Sequence, residues 1–203
     1  MNHDWRVAPL DDLVQAISVR ATARPAVIAV NGHSSSGKTT LAWRLAAALD
    51  SSDVLHTDDI AWYQGVFTWD VLLINDVLPV VRSRRRLRYR PPAWEQRERD
   101  GAVELAGALD FLIIEGVGAS QPSVRGEVDV VIWVETDEPT RSARDAVRIA
   151  AGENTPSGFL RWMAEENAYV AEYQPWLDAD FLIEGGDSIA HDRDTEVVLA
   201  GRS

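Results

Sequence analysis

An α/β protein of three layers, a five-stranded parallel sheet with helices on both faces, is the fold class this sequence predicts. Three observations carry the prediction. Short apolar, β-branched runs alternate with longer amphipathic ones; acidic residues follow the apolar runs; and one of the intervening turns is glycine-rich and opens a helix. Strands buried on both faces read as continuous apolar stretches, and their alternation with helices implies parallel strands joined by crossovers. Open sheets of this kind place their chemistry beyond the carboxyl ends of the strands.

Along the chain, residues 10–23 carry a helical stripe (Leu10, Leu13, Val14, Ile17, Ala21) with Pro9 ahead of it. The first strand is expected at 26–30, the next helix at 40–49 and the second strand at 54–56, ending in Thr57-Asp58-Asp59. A helical pattern over 69–78 is closed by Pro79, and residues 82–92 form a basic, proline-ended connector. The third strand, 111–114, ends in Glu115-Gly116; the fourth spans 128–134; Asp137 is a helix N-cap with Pro139 just inside the helix. Helices over 138–150 and 157–174 and a fifth strand at 181–183 complete the pattern.

Composition narrows the function. At 203 residues the chain has room for one well-buried core, so residues 1–203 read as one domain. A net charge of −12 argues against general binding to nucleic acid or to acidic membranes, which requires a positive field. Without cysteine there are no disulfides, thiolate chemistry or cysteine-ligated zinc, and no uncharged eighteen-residue segment suggests a membrane span. A soluble, cytoplasmic protein acting on a small-molecule partner is expected, and a homo-oligomer is compatible with the sequence.

The most specific feature is Gly32-His33-Ser34-Ser35-Ser36-Gly37-Lys38-Thr39, a complete match to G-x-x-x-x-G-K-[ST] between a buried strand and a helix. Lys38 is the only lysine; the other nineteen basic side chains are arginines. A compact ammonium on a flexible stem suits a point contact between β- and γ-phosphates, where a planar guanidinium has a different shape and reach. Gly32 and Gly37 let successive N–H groups converge on an anion, and the helix N-terminus adds partial positive charge. Thr39 is placed to hold Mg²⁺. Together with the strand pattern, this loop defines a three-layer P-loop NTPase fold as the expectation. Phosphoryl transfer to a hydroxyl also needs a carboxylate near the acceptor; Asp58 is the candidate and Asp59 its rival. Glu115, an acid ending a buried strand, is expected to hold the metal with Thr39. The histidines show no ligand spacing, and His33 reads as filling a permissive loop position, so the metal should be Mg²⁺ bound through oxygen.

These segments resemble the uridine kinase and phosphoribulokinase-like family of P-loop kinases. The loop through Thr40 is similar to that family's G-x-S-x-S-G-K-T-T, residues 55–63 resemble its second-strand motif, and Ile113-Ile114-Glu115-Gly116-Val117 resembles its E-G motif. The resemblance runs from about residue 27 to 149 and fits the tail poorly. It implies ATP and Mg²⁺ as cofactors, Asp58 rather than Asp59 as the base, and a lid helix near 138–150. Arg141, Arg144 and Arg148 of that lid, with Asp145, would close over the phosphates, Arg144 in a catalytic role. Tyr63, Tyr89, Arg90 and Trp94 would join Asp58 on the acceptor side. In the segment that reads the nucleoside, tyrosine and arginine survive at Tyr89 and Arg90, but the family's aspartate and histidine are replaced. A small hydroxylated metabolite is therefore a firmer expectation than uridine itself. An antibiotic phosphotransferase and a silent nucleotide-binding module are the alternatives. A guanine-reading Asn-Lys-x-Asp segment is impossible with Lys38 as the sole lysine. The arginines of 82–90 read mainly as solvated surface, with Arg88 and Arg90 the candidate exceptions.

Overall fold

A computed structural model describes residues 3–65, 67–152 and 156–201, with side chains left out over 156–159. Five parallel strands form where the apolar runs predict them: β2 (Ala26–Gly32), β3 (Ser52–His56), β6 (Phe111–Glu115), β7 (Val130–Glu135) and β8 (Phe181–Glu184). Two further strands, β1 (Trp5–Pro9) and β9 (Glu196–Ala200), pair antiparallel and extend the sheet beyond β8. The sheet thus has seven strands in the order β1-β9-β8-β7-β2-β6-β3, which corrects the expected five. β1 escapes the apolar-run criterion because it is mostly solvated, with only Ala8 buried, whereas β9 carries the buried run Val197-Val198-Leu199, which the five-strand expectation leaves out. A separate antiparallel pair joins β4 (Leu87–Tyr89), inside the segment read as a basic connector, to β5 (Val103–Leu105), beyond that segment's end at residue 92.

The period of two along each central strand divides the core between two helical layers. Ile28 and Val30 of β2, with Ile113, Ile132 and Val134, face α1 (Leu10–Arg20) and α2 (Lys38–Ala48) through Leu13, Ile17, Leu41 and Leu45. Val27 and Ala29, with Leu112, Ile114 and Val131, face the other way. There they meet Ile60 of α3 (Thr57–Ala61), Trp69, Leu73 of the π-helical turn described next, and Tyr169 and Val170 of α9 (Pro156–Tyr173).

The helix expected to stop at Pro79 continues through it. Asp70–Leu72 (α4), a π-helical turn over Leu73–Val77 and Leu78–Arg82 (α5) follow one another, with Pro79 in the first turn of α5. Proline lacks an N–H and its ring crowds the preceding turn; the wider π turn, in which the Leu78 amide reaches back to the Leu73 carbonyl, supplies the room. Short helices α6 (Pro92–Gln96) and α7 (Pro122–Arg125) and the long α8 (Glu138–Ala150) complete the chain. In α8 the Asp137 carboxylate accepts from the Thr140 amide at 2.9 Å, which is the predicted cap.

Candidate active site

β2 runs out at Gly32, and the chain wraps through residues 33–37 before α2 begins at Lys38. Gly37, at φ 97°, is the left-handed residue that turns the loop into the helix. The loop is tightly backed: Thr136 Oγ1, just past β7, donates to the Ser36 carbonyl at 2.8 Å, and a Cβ on Gly185 would overlap that same oxygen. Lys38 Nζ folds back to donate to the His33 carbonyl at 2.6 Å, closing the loop on itself. Burial pulls the Lys38 ammonium below its ordinary pKa, against the opposing fields of Glu115, Glu166 and Asp58.

Glu115 ends β6 beside its register partner His56 at the end of β3. Its two oxygens divide between Thr39 Oγ1 at 3.1 Å and His56 Nδ1 at 2.7 Å. Burial pushes the Glu115 carboxyl up, but the hydrogen bond from His56, the Lys38 charge and the Thr39 hydroxyl hold it below the ordinary carboxylate range. The same hydrogen bond to Glu115 raises His56. Sequence reasoning missed His56; the pairing of two strand-end residues across adjacent parallel strands was the signal that could have found it.

Asp58 and Asp59 sit on α3, a single helical turn, and part company there. Asp58 opens into a cavity of about 430 Å³ walled by the phosphate loop, Ala61, Trp62, Glu115, Arg148 and Trp162. Its surface is open to the cavity, yet the walls remove enough water to raise its carboxyl, and the charge of Glu115 adds to this while Lys38 opposes it. Asp59 instead pairs with Arg99 at 2.9 Å outside that cavity.

A second cavity, of about 580 Å³, opens on the other side of the loop, sharing Ser35, Gly37, Thr39 and Arg148 with the first. Arg44, Arg144, Arg193, His191, Gly185 and Gly186 line it. Here α8 touches the loop. Arg144 donates to the Ser35 and Gly185 carbonyls, each at 3.0 Å, and Ser35 Oγ donates to buried Asp145 at 2.5 Å. Arg148 lines both cavities, whereas Arg141 is turned to the Thr136 carbonyl at 3.1 Å. Thr40 lines the second cavity alone.

Four residues expected on the acceptor side lie apart from Asp58's cavity. Tyr89 donates to Asp76 at 2.8 Å, and Arg90 donates to the Gly101 and Arg99 carbonyls. Trp94 is buried at 4%, donates to the Asp59 carbonyl at 2.8 Å, and carries the Arg99 guanidinium 3.5 Å from its ring centre. Tyr63 is exposed and carries the Arg97 guanidinium 3.7 Å from its ring centre. Most of the arginine run is paired with acids: Arg82 with Glu127, Arg84 with Asp110, and Arg86 and Arg88 with Glu104.

Sheet order, helices on both faces and a lysine-closed loop at the carboxyl edge define a P-loop NTPase fold of the three-layer α/β class. No protein-family model matches the chain, and no curated protein matches it. Solved structures do match. A possible uridine kinase from Bacillus stearothermophilus is 23% identical and superposes with a TM-score of 0.58 over 85% of this chain and 95% of its own. A protein provisionally assigned as a fructose transport system kinase from Silicibacter sp. TM1040 is 21% identical, with a TM-score of 0.49 over 80% of this chain and 87% of its own. At 23% identity the first of these likenesses shows the fold. The uridine kinase resemblance carried by the motifs therefore has a structural counterpart. Among the described residues no helix is long and apolar enough to cross a membrane.

Proposed function

We propose that this protein transfers the γ-phosphoryl group of ATP to a hydroxyl of a small metabolite, a nucleoside-like compound being the leading candidate. One observation carries the reading: Lys38, Thr39, Glu115 and Asp58 converge on a single cavity, and a second, arginine-walled cavity adjoins it across the phosphate loop. The nucleoside of ATP belongs in the larger cavity, with its phosphates running over the loop toward Lys38. The acceptor belongs beside Asp58, where Trp62 and Trp162 offer ring surfaces to a planar or sugar-like group.

Mg²⁺ fits the residues present. Thr39 and Glu115 bring hard oxygens within 3.1 Å of each other, and no group of three or more His, Cys, Asp or Glu among the described residues competes as a full protein cage. Magnesium suits one or two such ligands, with phosphate and water completing its octahedron, and when bound it neutralises charge on the phosphates. The chain's own residues do the rest. The loop amides and Lys38 hold the phosphates, and the Asp58 carboxylate orients the acceptor hydroxyl. As the acceptor oxygen bonds to the γ-phosphorus and the bond to the β,γ-bridging oxygen breaks, Asp58 takes the hydroxyl proton. Arg148, facing both cavities, is placed to offset developing negative charge. Arg144 holds the loop against Gly185.

The test is incubation of the protein with Mg²⁺, ATP and a panel of nucleosides, sugars, pantothenate and aminoglycosides, reading ADP formation and acceptor mass. One compound should gain one phosphoryl group, and Lys38→Ala should abolish the gain together with ATP binding. Asp58→Asn should bind ATP nearly as the parent does while turning over about 10²–10⁴-fold more slowly. Asp59→Asn, altering an acid paired to Arg99, should retain far more activity; equal losses in the two variants would remove Asp58 from its role.

A further inference from the structure

Glu166, 2% exposed on α9, takes no part in the steps above. Its carboxylate nonetheless receives three donors. His33 Nδ1 lies 2.6 Å from Oε1, the Ser34 amide lies 3.1 and 3.2 Å from the two oxygens, and Trp162 Nε1 lies 3.1 Å from Oε2. A carboxylate can only accept, so the proton in the His33 contact sits on Nδ1. The His33 ring also packs edge-on against Trp133 of β7 at 5.5 Å, so the imidazole touches both the sheet and α9. His33 therefore does more than occupy a permissive position.

Two of the three donors belong to the phosphate loop, and the third, Trp162, walls the cavity that holds Asp58. One carboxylate thus ties the first half of the loop to the helix beside the acceptor. The second half is held by different groups, Thr136 on the Ser36 carbonyl and Arg144 on the Ser35 carbonyl. A loop that binds phosphate through converging backbone amides works only if its backbone is fixed before the anion arrives.

We propose that Glu166 is a positioning residue: through Ser34 and His33 it anchors the phosphate loop in its binding conformation. The proposal rests on the nucleotide-binding part of the function proposed above, and its experiment separates the two. Glu166→Met keeps the volume but removes every acceptor, and Glu166→Gln restores an acceptor oxygen for the Ser34 amide. Amide hydrogen exchange over residues 32–38 and MgATP affinity by calorimetry are measured for both variants and the parent, with circular dichroism confirming the fold. Glu166→Met should speed exchange in the loop and weaken MgATP binding, each by about tenfold or more, as expected when a buried N–H loses its partner. Glu166→Gln should recover most of both.

Parent-like exchange and affinity in Glu166→Met would overturn the anchor. So would equal defects in the two variants, because the acceptor oxygen would then not be what matters. A parent protein that bound no MgATP, while Glu166→Met still lost loop protection, would uphold the anchor and refute the nucleotide reading.

Discussion

At the scale of single residues, the groups that speak through local pattern were legible and those that act across the fold were not. Lys38 and Thr39 stand in a spaced motif, and Asp58 and Glu115 each end an apolar run, so the chain alone points to them. His56, Thr136 and Glu166 acquire their roles by meeting another element, at Glu115, Ser36 and Ser34 respectively. Tyr89, Arg90 and Trp94 show the reverse, since side chains that look like ligand contacts are engaged by Asp76, by backbone carbonyls and by Arg99. Two titrations follow from the site's electrostatics. Asp58, raised by burial, must lose its proton to act as a base. With saturating Mg²⁺, kcat/KM for the acceptor should therefore fall on acidification with a midpoint above the ordinary aspartate value of about 3.9. A rate that stays level down to about pH 4 would mean that the Asp58 carboxyl is not raised in the working enzyme. For Glu166, burial pushes the carboxyl up, but the His33 hydrogen bond, the charges of His33 and Lys38 and the Ser34 amide bring it below its ordinary value. A carboxyl lowered in the folded state contributes stability that is present above its unfolded pKa, about 4.3, and is lost as the pH falls through the folded value. The difference in thermal midpoint between the parent and Glu166→Gln should hold near pH 7 and narrow below about pH 4. A constant difference would mean that the folded carboxyl is not lowered.

At the scale of elements, β2, β6 and β7 were readable because burial on both faces leaves an unbroken apolar run, as in Val27-Ile28-Ala29-Val30, while the less buried β3 and β8 were readable from the shorter runs Val54-Leu55 and Phe181-Leu182-Ile183. The edge strand β1 was not, because one partner and one wet face leave a mixed pattern in Trp5-Arg6-Val7-Ala8-Pro9. Pro79 misled for a related reason: the rule that proline stops a helix assumes regular α geometry, and the π turn before it removes the clash. The start of α8 was legible, since Asp137 and Pro139 are a local signal. Asp137→Ala should remove the cap and speed amide exchange in the first turn of α8, with little change in β2 or β6. Since Arg144 and Asp145 of the same helix hold Ser35, loosening that spreads into residues 33–37 would show that α8 and the loop open together.

At the scale of the whole molecule, the sheet separates two apolar layers, and Trp69 lies in the layer behind the acceptor side, 1% exposed. Trp69→Ala should cost about 3–5 kcal/mol in denaturant unfolding, the usual penalty for emptying such a site. A loss under about 1 kcal/mol would mean that the loops around it collapse into the space. The antiparallel edge formed by β1 and β9 has a consequence for connectivity. The Gly201 amide donates to the Asp4 carbonyl at 2.8 Å, so the two ends of the described chain lie side by side, at the opposite edge of the sheet from β3. A short glycine-serine bridge should therefore fuse them without strain, and new ends cut in the exposed turn at residues 83–86 should yield a circular permutant with the same sheet and both cavities intact.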